Sequence, residues 1–296
     1  MRLTRFPATL LLFLLSASRG LPADAPAGPA PGTPWTAPSA GLEMIWCPPG
    51  NFTMGSPPNE DGRSTDYDET PHPVTLTHGY WLGKFLVTQS QWEKLMGTTI
   101  AQQRDLTRYP TWPIVGQGTD YPIYYVSWDE AVAFCQKLTA QERAAGRLPP
   151  GWHYALPTEA QWEYACRAGT TGATYAGELH SVPAEDGART SATLDPIAWY
   201  LANSDKTTHP VGQKLPNPWG FYDLLGNEGE WCADWYGVYP TGAVTDPTGP
   251  AKGRERVIRG GGWKAPAQHT RAAYRFSDLP DMHSRFHSFR VALVEE

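Results

Sequence analysis

Four cysteines are the residues of this chain best suited to redox or metal chemistry. They are Cys47, Cys135, Cys166 and Cys232, and they stand far apart with no Cys-x-x-Cys pair. Zinc sites and small disulfide scaffolds use closely spaced cysteines, so neither is indicated here. Two disulfides are arithmetically available, and the sequence leaves their pairing open.

Histidines form a second group with chemical potential. Three of the eight, His269, His283 and His287, lie near the C-terminus, and the last two are four residues apart. Imidazoles suit iron, copper and zinc, so a three-histidine metal centre is one hypothesis. The interpretation that we favour is that they line a loop or pocket without a metal. Signatures of serine hydrolases, P-loop proteins and HExxH zinc enzymes are absent from the sequence.

The composition predicts that a fold with little regular structure positions these groups. The chain has 296 residues, 41% of them hydrophobic and 12% aromatic, with 13 Trp, 29 Gly and 29 Pro. Few helix formers and many turn residues favour an irregular fold with an aromatic core over a helical bundle or a doubly wound sheet. The formal net charge of -6 disfavours nucleic acid and anionic membranes as partners.

The N-terminal region reads as an export signal and a linker. Arg2 and Arg5 precede the apolar run 8–17, which is too short to span a bilayer, so residues 1–20 are predicted to be a signal peptide. The Pro-, Ala- and Gly-rich segment 21–41 is predicted to be an extended linker. One domain over 42–296 should follow. No later segment is apolar enough for a membrane span, so we expect an exported protein, periplasmic or extracellular.

Local patterns predict an α+β architecture. Capping boxes mark the start of three helices, Thr88 with Gln91, Ser127 with Glu130, and Thr158 with Gln161. In the second helix the spacing predicts one buried stripe formed by Trp128, Val132, Cys135 and Leu138. Short strands are expected within Met44–Met54, Pro73–Val87, Val257–Ile258 and Ser288–Val294.

Several phrases occur in an order that is specific to one family. They are MIWCPPGNFTMGS (44–56), ETPHPVTL (69–76), VTQSQWEKLMG (87–97), YYVSWDEAVAFCQKL (124–138), YALPTEAQWEYACRAGT (154–170), HPVGQKLPNPWGFYDLLGNEGEWCADWY (209–236), RVIRGGGW (256–263) and FRVAL (289–293). Together they resemble the formylglycine-generating enzyme family, also called the sulfatase-modifying factor domain. The resemblance covers about residues 42–294. It implies a formylglycine-generating-enzyme variant of the C-type lectin fold, but not one chemistry, because function depends on the site.

The resemblance also shows where this chain departs from the oxidases of the family. In those enzymes two cysteine thiolates near the C-terminus bind Cu(I), whereas the last cysteine here is Cys232. The two positions align near Ala265 and Thr270. A serine after the Gly-Gly pair is here Gly262, and an indole beside the site is here Gly229. We therefore expect that the copper-thiolate oxidase chemistry is lost and that copper is not a cofactor.

A calcium site is implied by the same resemblance. In the family, the turn before the Trp-Glu-Trp phrase holds Ca²⁺ through two side chains and two backbone carbonyls. The matching residues are Asp223 and Glu230 for side chains, and Gly226 and Glu228 for carbonyls. Hard oxygen ligands of this kind suit Ca²⁺. A second family site needs an Asp after the Asn203 region, and the sequence leaves its ligands within residues 203–208 open.

The resemblance bears on two of the cysteines as well. Cys135 and Cys166 match positions that form bridges to C-terminal cysteines in vertebrate relatives, and those partners are missing here. We expect both to be small buried hydrophobic residues.

The favoured function is a binding module. The segment 260–287 is expected to form a pocket or groove for a protein, peptide or glycan, since guanidinium and aromatic groups together are common at recognition surfaces. Its candidate lining residues are Trp263, Arg271, Tyr274, Arg275, Phe276 and Arg285.

Two other functions stay open at this point. One is a divergent metal-dependent oxidase of the same family with ligands other than thiolates, acting on a sulfatase cysteine or in a related oxidation. The other is a lectin-type display protein with diversified C-terminal loops. The ligand and the oligomeric state are not determined by the sequence.

Overall fold

The computed structural model describes residues 28–183 and 189–296. The helices of this part are α1 (Gln89–Met96), α2 (Ile100–Asp105), α3 (Trp128–Ala144) and α4 (Glu159–Arg167), with a 3₁₀ turn at Ala267–His269. The strands are β1 (Trp35–Ala37), β2 (Leu42–Cys47), β3 (Gly50–Met54), β4 (His72–Leu76), β5 (Tyr80–Gly83), β6 (Trp152–Ala155), β7 (Val182–Pro183), β8 (Arg189–Thr190), β9 (Gly229–Trp235), β10 (Val244–Thr245), β11 (Arg256–Arg259), β12 (Arg275–Asp278), β13 (His287–Ser288) and β14 (Ala292–Glu295). The predicted α+β class with little regular structure is confirmed.

Besides a three-stranded sheet, β10-β4-β3, and the strand pair β7-β8, two larger sheets organise the described residues. The larger is antiparallel throughout, with strands in the order β1-β2-β5-β14-β6, so the C-terminal strand β14 lies between β5 and β6. The second has the order β12-β11-β9-β13, in which β13 runs parallel to β9. The second sheet is built entirely from residues after 228, and it carries the pocket described below.

The predicted helix starts are confirmed, because Thr88, Ser127 and Thr158 each form a reciprocal capping box with the residue three positions later. Helix α2 was missed. It begins with the same kind of box, from Thr99 to Gln102. Its six residues contain too short a run for the apolar periodicity to be recognised.

The buried stripe predicted for α3 is only half right. Cys135 and Leu138 are buried, but Trp128 and Val132 are half-buried. The face that packs inward consists of Ala131, Phe134, Cys135, Leu138, Thr139 and Glu142. Trp128 lies at the helix start, where its indole N–H donates to the Cys232 carbonyl and its ring lies under the Arg256 guanidinium.

The linker prediction is wrong for its last residues. Trp35–Ala37 forms β1, which pairs with β2, and Ala37 and Ala40 are buried. The Trp35 indole N–H donates to the Tyr154 hydroxyl, so one aromatic residue and two alanines suffice to pack this segment onto the sheet.

Residues 1–27, including the predicted signal peptide, lie outside the described residues. None of the described helices is long and apolar enough to cross a lipid bilayer.

The core holds arginines among its aromatic side chains. Trp81, Trp92, Trp162 and Trp231 are buried, and so are Arg259, Arg271, Arg275 and Arg290. A buried guanidinium has to be paired and hydrogen-bonded, because desolvation of an isolated charge is costly. Whether an arginine of this protein is available to a ligand therefore depends on whether a carboxylate of the protein already pairs with it.

Candidate ligand-binding pocket

A cavity of about 380 Å³ opens beside the four-stranded sheet. It is lined by Gly229, Ile258, Gly261, Gly262, Lys264, Ala265, Pro266, His269, Tyr274, Phe276, Phe286 and His287. Most of these side chains are apolar or aromatic, and few polar groups are present. Its volume and lining are typical of a pocket for a small ligand or one side chain of a larger ligand.

Glycines allow the loop after β11 to fold over this cavity. Gly260 and Gly261 have φ values of +92° and +76°, in the left-handed region that glycine tolerates. A Cβ at Gly261 would lie 2.7 Å from the His269 carbonyl oxygen. Three backbone bonds then fasten the loop, from Gly226 N–H to the Gly260 carbonyl, Trp263 N–H to Asn227, and Gly229 N–H to Phe286. The GNEG and RGGGW phrases thus form one wall together.

Three of the four positions at which the resemblance predicts a difference from the oxidases line this cavity. Gly262, Ala265 and Gly229 line the cavity, whereas Thr270 is fully buried and its hydroxyl donates to the Pro266 carbonyl. A Cβ at Gly229 would lie 2.9 Å from a methyl of Ile258 and 3.0 Å from the Phe286 carbonyl oxygen. This backbone has no room for the indole expected from the resemblance.

Two of the three candidate histidines line the pocket. His287 is 4% exposed, its ring lies edge-on to Trp231 at 5.0 Å, and its Nδ1 has no hydrogen-bond partner among the described residues. Burial lowers the pKa of His287 to about 3, so its imidazole is neutral at physiological pH. His269 stacks on Tyr274 at 4.3 Å. Burial, and then the Arg271 charge, lower the pKa of His269.

The third histidine lies elsewhere. His283 Nε2 is 3.0 Å from a carboxylate oxygen of Glu130, and this bond raises the pKa of His283. The described residues contain no group of three or more His, Cys, Asp or Glu side chains placed to hold a metal ion. The three histidines therefore do not converge as a metal centre would require.

Of the six lining residues predicted from sequence, Tyr274 and Phe276 line the cavity itself. Trp263 is next to it. This side chain is 3% exposed, packs on Phe286 at 5.2 Å, and donates its indole N–H to the Arg285 carbonyl.

Arg271 and Arg275 are placed away from this cavity. Arg271 is fully buried and bonds both carboxylate oxygens of Glu69 at 2.7 and 2.9 Å. Arg275 bonds both oxygens of Glu159 at 2.6 and 2.8 Å. It borders a different cavity, of about 450 Å³. Both are buried ion pairs, and no local pattern in the sequence indicates them because each acid precedes its arginine by more than a hundred residues.

Arg285 is half-buried at the mouth of the pocket. Its guanidinium lies 5.1 Å from the Phe286 ring, 5.5 Å from Trp112 and 5.9 Å from Trp263. Lys264, which the sequence reasoning missed, approaches the same Phe286 ring at 5.8 Å. The sequence signal that could have identified Lys264 is its position two residues after the Gly-Gly-Gly turn.

Asp223 and Glu230, the two predicted calcium side chains, are both buried but differ in their partners. The Asp223 carboxylate accepts from the Gly212 N–H at 2.8 Å, and burial raises the pKa of this group. Glu230 accepts from Arg290 at both oxygens, at 2.6 and 2.8 Å. Glu230 is therefore already committed to a cation of the protein itself.

The backbone part of the calcium site fits a hard cation better. The carbonyl oxygens of Gly226 and Glu228 receive no hydrogen bond from the part of the chain that the structure describes. The Glu228 carboxyl group is fully buried without a partner there, and burial raises its pKa well above the usual value. The arrangement thus offers two carbonyls and the Asp223 carboxylate, which accepts from Gly212 N–H but pairs with no cation of the described residues, with Glu230 available only if Arg290 shares it.

All four cysteines are buried and free, so none forms a disulfide in this structure. The sequence had left this question open. Burial raises the pKa of each thiol, to about 12 at Cys166. Thiols of this kind are small hydrophobic residues rather than nucleophiles or metal ligands.

The described chain is thus an irregular α+β domain with a glycine-built pocket in its C-terminal third. The chain belongs to the family of sulfatase-modifying factor enzyme 1-like domains, whose family model matches residues 32–294.

Its relatives differ in their named roles. The chain is 27% identical to the formylglycine-generating enzyme of Bos taurus over 308 residues, covering 89% of this chain and 78% of that protein. It resembles the solved structure of Treponema denticola variable protein 1, with 28% identity and a TM-score of 0.67 over 88% of this chain and 98% of that one. It also resembles PvdO from Pseudomonas aeruginosa, with 25% identity and a TM-score of 0.68 over 91% and 100% of the two chains.

Proposed function

We propose that this protein is an exported binding module of the sulfatase-modifying factor family that has lost the copper-thiolate oxidase chemistry. Its ligand site is the cavity between the Gly260–Gly262 turn and His287. The observation that supports this most is the wall of the cavity itself. Where the oxidases carry serine and cysteine, Gly262 and Ala265 present no thiol and no hydroxyl, while the cavity keeps a ligand-sized volume.

Calcium belongs to this proposal as a structural ion. Asp223 and the carbonyls of Gly226 and Glu228 would hold it, and its charge would compensate the buried Asp223 carboxylate. The ion would order the turn that forms one wall of the pocket.

Each alternative has one observation in its favour. The divergent oxidase is supported by His269 and His287, which line the same cavity, although no third His, Cys, Asp or Glu joins them in the described residues. The display protein is supported by the likeness to the Treponema variable protein.

Metal analysis and an activity assay separate the binding module from the oxidase. We expect the purified mature protein to contain calcium but no stoichiometric copper or iron. With Cu(I) and a Cys-x-Pro-x-Arg peptide, mass spectrometry should detect no aldehyde above a control without protein. Bound copper or iron together with aldehyde formation would overturn the proposal.

A pocket-filling variant tests the binding site. Ala265→Phe should abolish ligand binding, since the added ring would occupy the cavity, whereas Ala251→Phe, at an exposed position, should not. Saturation-transfer NMR with acetylated dipeptide amides and monosaccharides as probes measures this. Equal binding by both variants would place the ligand site elsewhere.

A further inference from the structure

Lys264 and Arg285 differ from three buried arginines of the C-terminal part of the chain. Arg259, Arg271 and Arg275 are each paired with buried carboxylates. Neither Lys264 nor Arg285 forms an ion pair with a carboxylate of the described residues. The Nε of Arg285 is buried with no acceptor in that part of the chain, as are those of Arg256 and Arg259. The two terminal nitrogens of Arg285 donate no hydrogen bond to the described residues and are not among the fully buried atoms, so an acceptor supplied from outside can reach them.

Both cations lie over one aromatic ring at the pocket. The Phe286 ring is 5.1 Å from the Arg285 guanidinium and 5.8 Å from the Lys264 ammonium. Phe286 is itself a lining residue of the cavity. Trp112, which Arg285 also faces, stacks on the exposed Tyr109 at 4.5 Å. A group that leaves the cavity past Phe286 therefore meets two positive charges and an aromatic surface.

The acidic groups nearby do not cancel these charges. Asp281 is 3.6 Å from Arg108, and Glu130 is paired with His283. Asp278 lies 3.9 Å from His287 Nδ1 but is not a lining residue, and burial raises the pKa of its carboxyl group. The mouth of the pocket is thus locally cationic on a chain whose net charge is -6.

The interior of the pocket is mainly apolar, whereas its mouth is cationic, so the two parts favour different groups of a ligand. Ile258, Pro266, Phe276 and Phe286 supply apolar surface, and the imidazole of His287 is neutral. A sugar ring needs several hydrogen-bond partners when it is buried, and this lining offers few. An aliphatic or aromatic side chain fits the interior without unpaired polar groups.

We propose that the pocket recognises an acidic peptide, one that places an apolar side chain in the cavity and an adjacent carboxylate between Lys264 and Arg285. The inference rests on the proposed binding function and specifies the ligand of that same site. The carboxylate can come from an acidic side chain or from a free C-terminus, since both offer the same oxygens to a guanidinium.

Matched probes test the charge requirement. Acetyl-Phe-Asp-amide, acetyl-Phe-Asn-amide and acetyl-Phe with a free carboxylate are titrated by calorimetry into the parent, Lys264→Gln, Arg285→Gln and the double variant. We expect the acidic probes to bind about tenfold more tightly than the Asn probe, as charge-assisted hydrogen bonds do. Each single variant should reduce this preference and the double variant should abolish it. Lys252→Gln, at an exposed loop position, serves as the control.

The remaining outcomes count against the inference in distinguishable ways. Equal affinity for the Asp and Asn probes, or a preference that survives in the double variant, overturns the charge requirement but leaves the binding function standing. Binding of an acidic sugar such as N-acetylneuraminate, with no peptide bound, overturns the peptide assignment. If no probe of any charge responds to Ala265→Phe, the binding function itself fails, and the inference fails with it. Weaker preference for the acidic probes at high salt would support the ion pair.

Discussion

Arg259 and Arg285 lie 26 positions apart in the same C-terminal segment, yet their surroundings differ completely. Arg259 is fully buried between Glu159 and Glu163 of α4 and also donates to the Ala272 and Ala273 carbonyls. Arg285 faces three aromatic rings and no carboxylate of the described residues. Residue type alone therefore does not tell a structural cation from one that is available to a ligand.

The contrast extends over both regions. Around α4, the groups Arg167, Glu163, Arg259, Glu159 and Arg275 form a continuous chain of buried ion pairs. Around the pocket, the cations are unpaired and the interior is apolar. The first arrangement fixes the segment in place and pairs each of its charges with an opposite charge. The second leaves two cations, unpaired with any carboxylate of the described residues, beside an apolar cavity, an arrangement that suits an anionic partner.

The largest effect is expected from breaking the buried network. Arg259→Met removes the guanidinium that bridges Glu159 and Glu163, so each acid keeps only one counter-charge, from Arg275 and Arg167, and the free energy of unfolding should fall by about 3 kcal/mol. Arg285→Met should change it by less than about 1 kcal/mol. Urea unfolding followed by tryptophan fluorescence measures both. If Arg259→Met yields no folded protein, the milder Glu163→Gln should still cost more than Arg285→Met. Equal losses at the two arginines would remove the distinction between the regions.

Calcium should matter where a buried acid has no arginine. Asp223 is such an acid, whereas Glu230 is held by Arg290. At a hundred times its dissociation constant the ion would stabilise the fold by roughly 2.7 kcal/mol. A chelator should then lower the melting temperature by several degrees, at about 2–4 °C per kcal/mol.

Asp223→Asn should abolish the chelator effect, and Glu228→Gln, whose carbonyl is unchanged, should behave like the parent. Glu230→Gln should also weaken the effect, but it breaks the ion pair with Arg290 as well, so Asp223→Asn is the cleaner variant. A parent protein whose melting temperature is indifferent to chelator would contradict the calcium assignment.

The two regions should also respond to pH with opposite sign. The pKa of His287 is about 3 in the fold, below the unfolded value of 6.5, so the unfolded state binds more protons between these values. Stability is therefore lost as the pH falls below 6.5. The pKa of Asp234, beside Glu159, is about 7, above its unfolded value of 3.8, because of burial and then the Glu159 charge. Its contribution is lost as the pH rises from 4 to 7.

Each slope is at most about 1.4 kcal/mol per pH unit, so a change of roughly 2 kcal/mol is expected between pH 7 and 5 for His287. His287→Asn should gain stability relative to the parent as the pH falls. Asp234→Asn should gain it as the pH rises. Urea unfolding at pH 5, 6 and 7 tests both, and differences from the parent that do not vary with pH would contradict the assignment of these groups.

The smallest effect is expected from removing the N-cap of α4, the helix that carries two acids of the buried ion-pair network. Thr158 caps α4, which carries Glu159 and Glu163, so Thr158→Ala should cost about 1 kcal/mol. Affinity for the acidic probe should stay unchanged, because α4 does not line the pocket. Thr99→Ala, which removes the equivalent cap of the six-residue α2, is the matched control. A loss of probe binding in Thr158→Ala alone would show that the two regions are coupled.

Local patterns predicted much of the framework. The capping boxes at Thr88, Ser127 and Thr158 are contained within four residues, so the helix starts follow from the sequence. The failures also have local causes. β1 was read as linker because its three residues become a strand only through pairing with β2. Helix α2 was too short to show periodicity.

The pocket was predicted in part. The ordered phrases identified the family, and of the six lining residues predicted within the segment 260–287, Tyr274 and Phe276 line the cavity. Arg271 and Arg275 were assigned to the pocket because guanidinium and aromatic groups often occur together at recognition surfaces. Their partners, Glu69 and Glu159, are 202 and 116 residues away in the chain. No local signal connects such pairs.

The sequence by itself determined the family, the capped helices and the absence of any cysteine after Cys232, because each is a property of residue identity at short range. Only the tertiary structure decided which arginines are buried in ion pairs and which face solvent beside Phe286. It also decided that His287 is neutral and that the four thiols are unpaired. Burial and charge pairing depend on elements that are distant in sequence and meet only when the chain folds. The available charges of this protein are therefore a property of its packing.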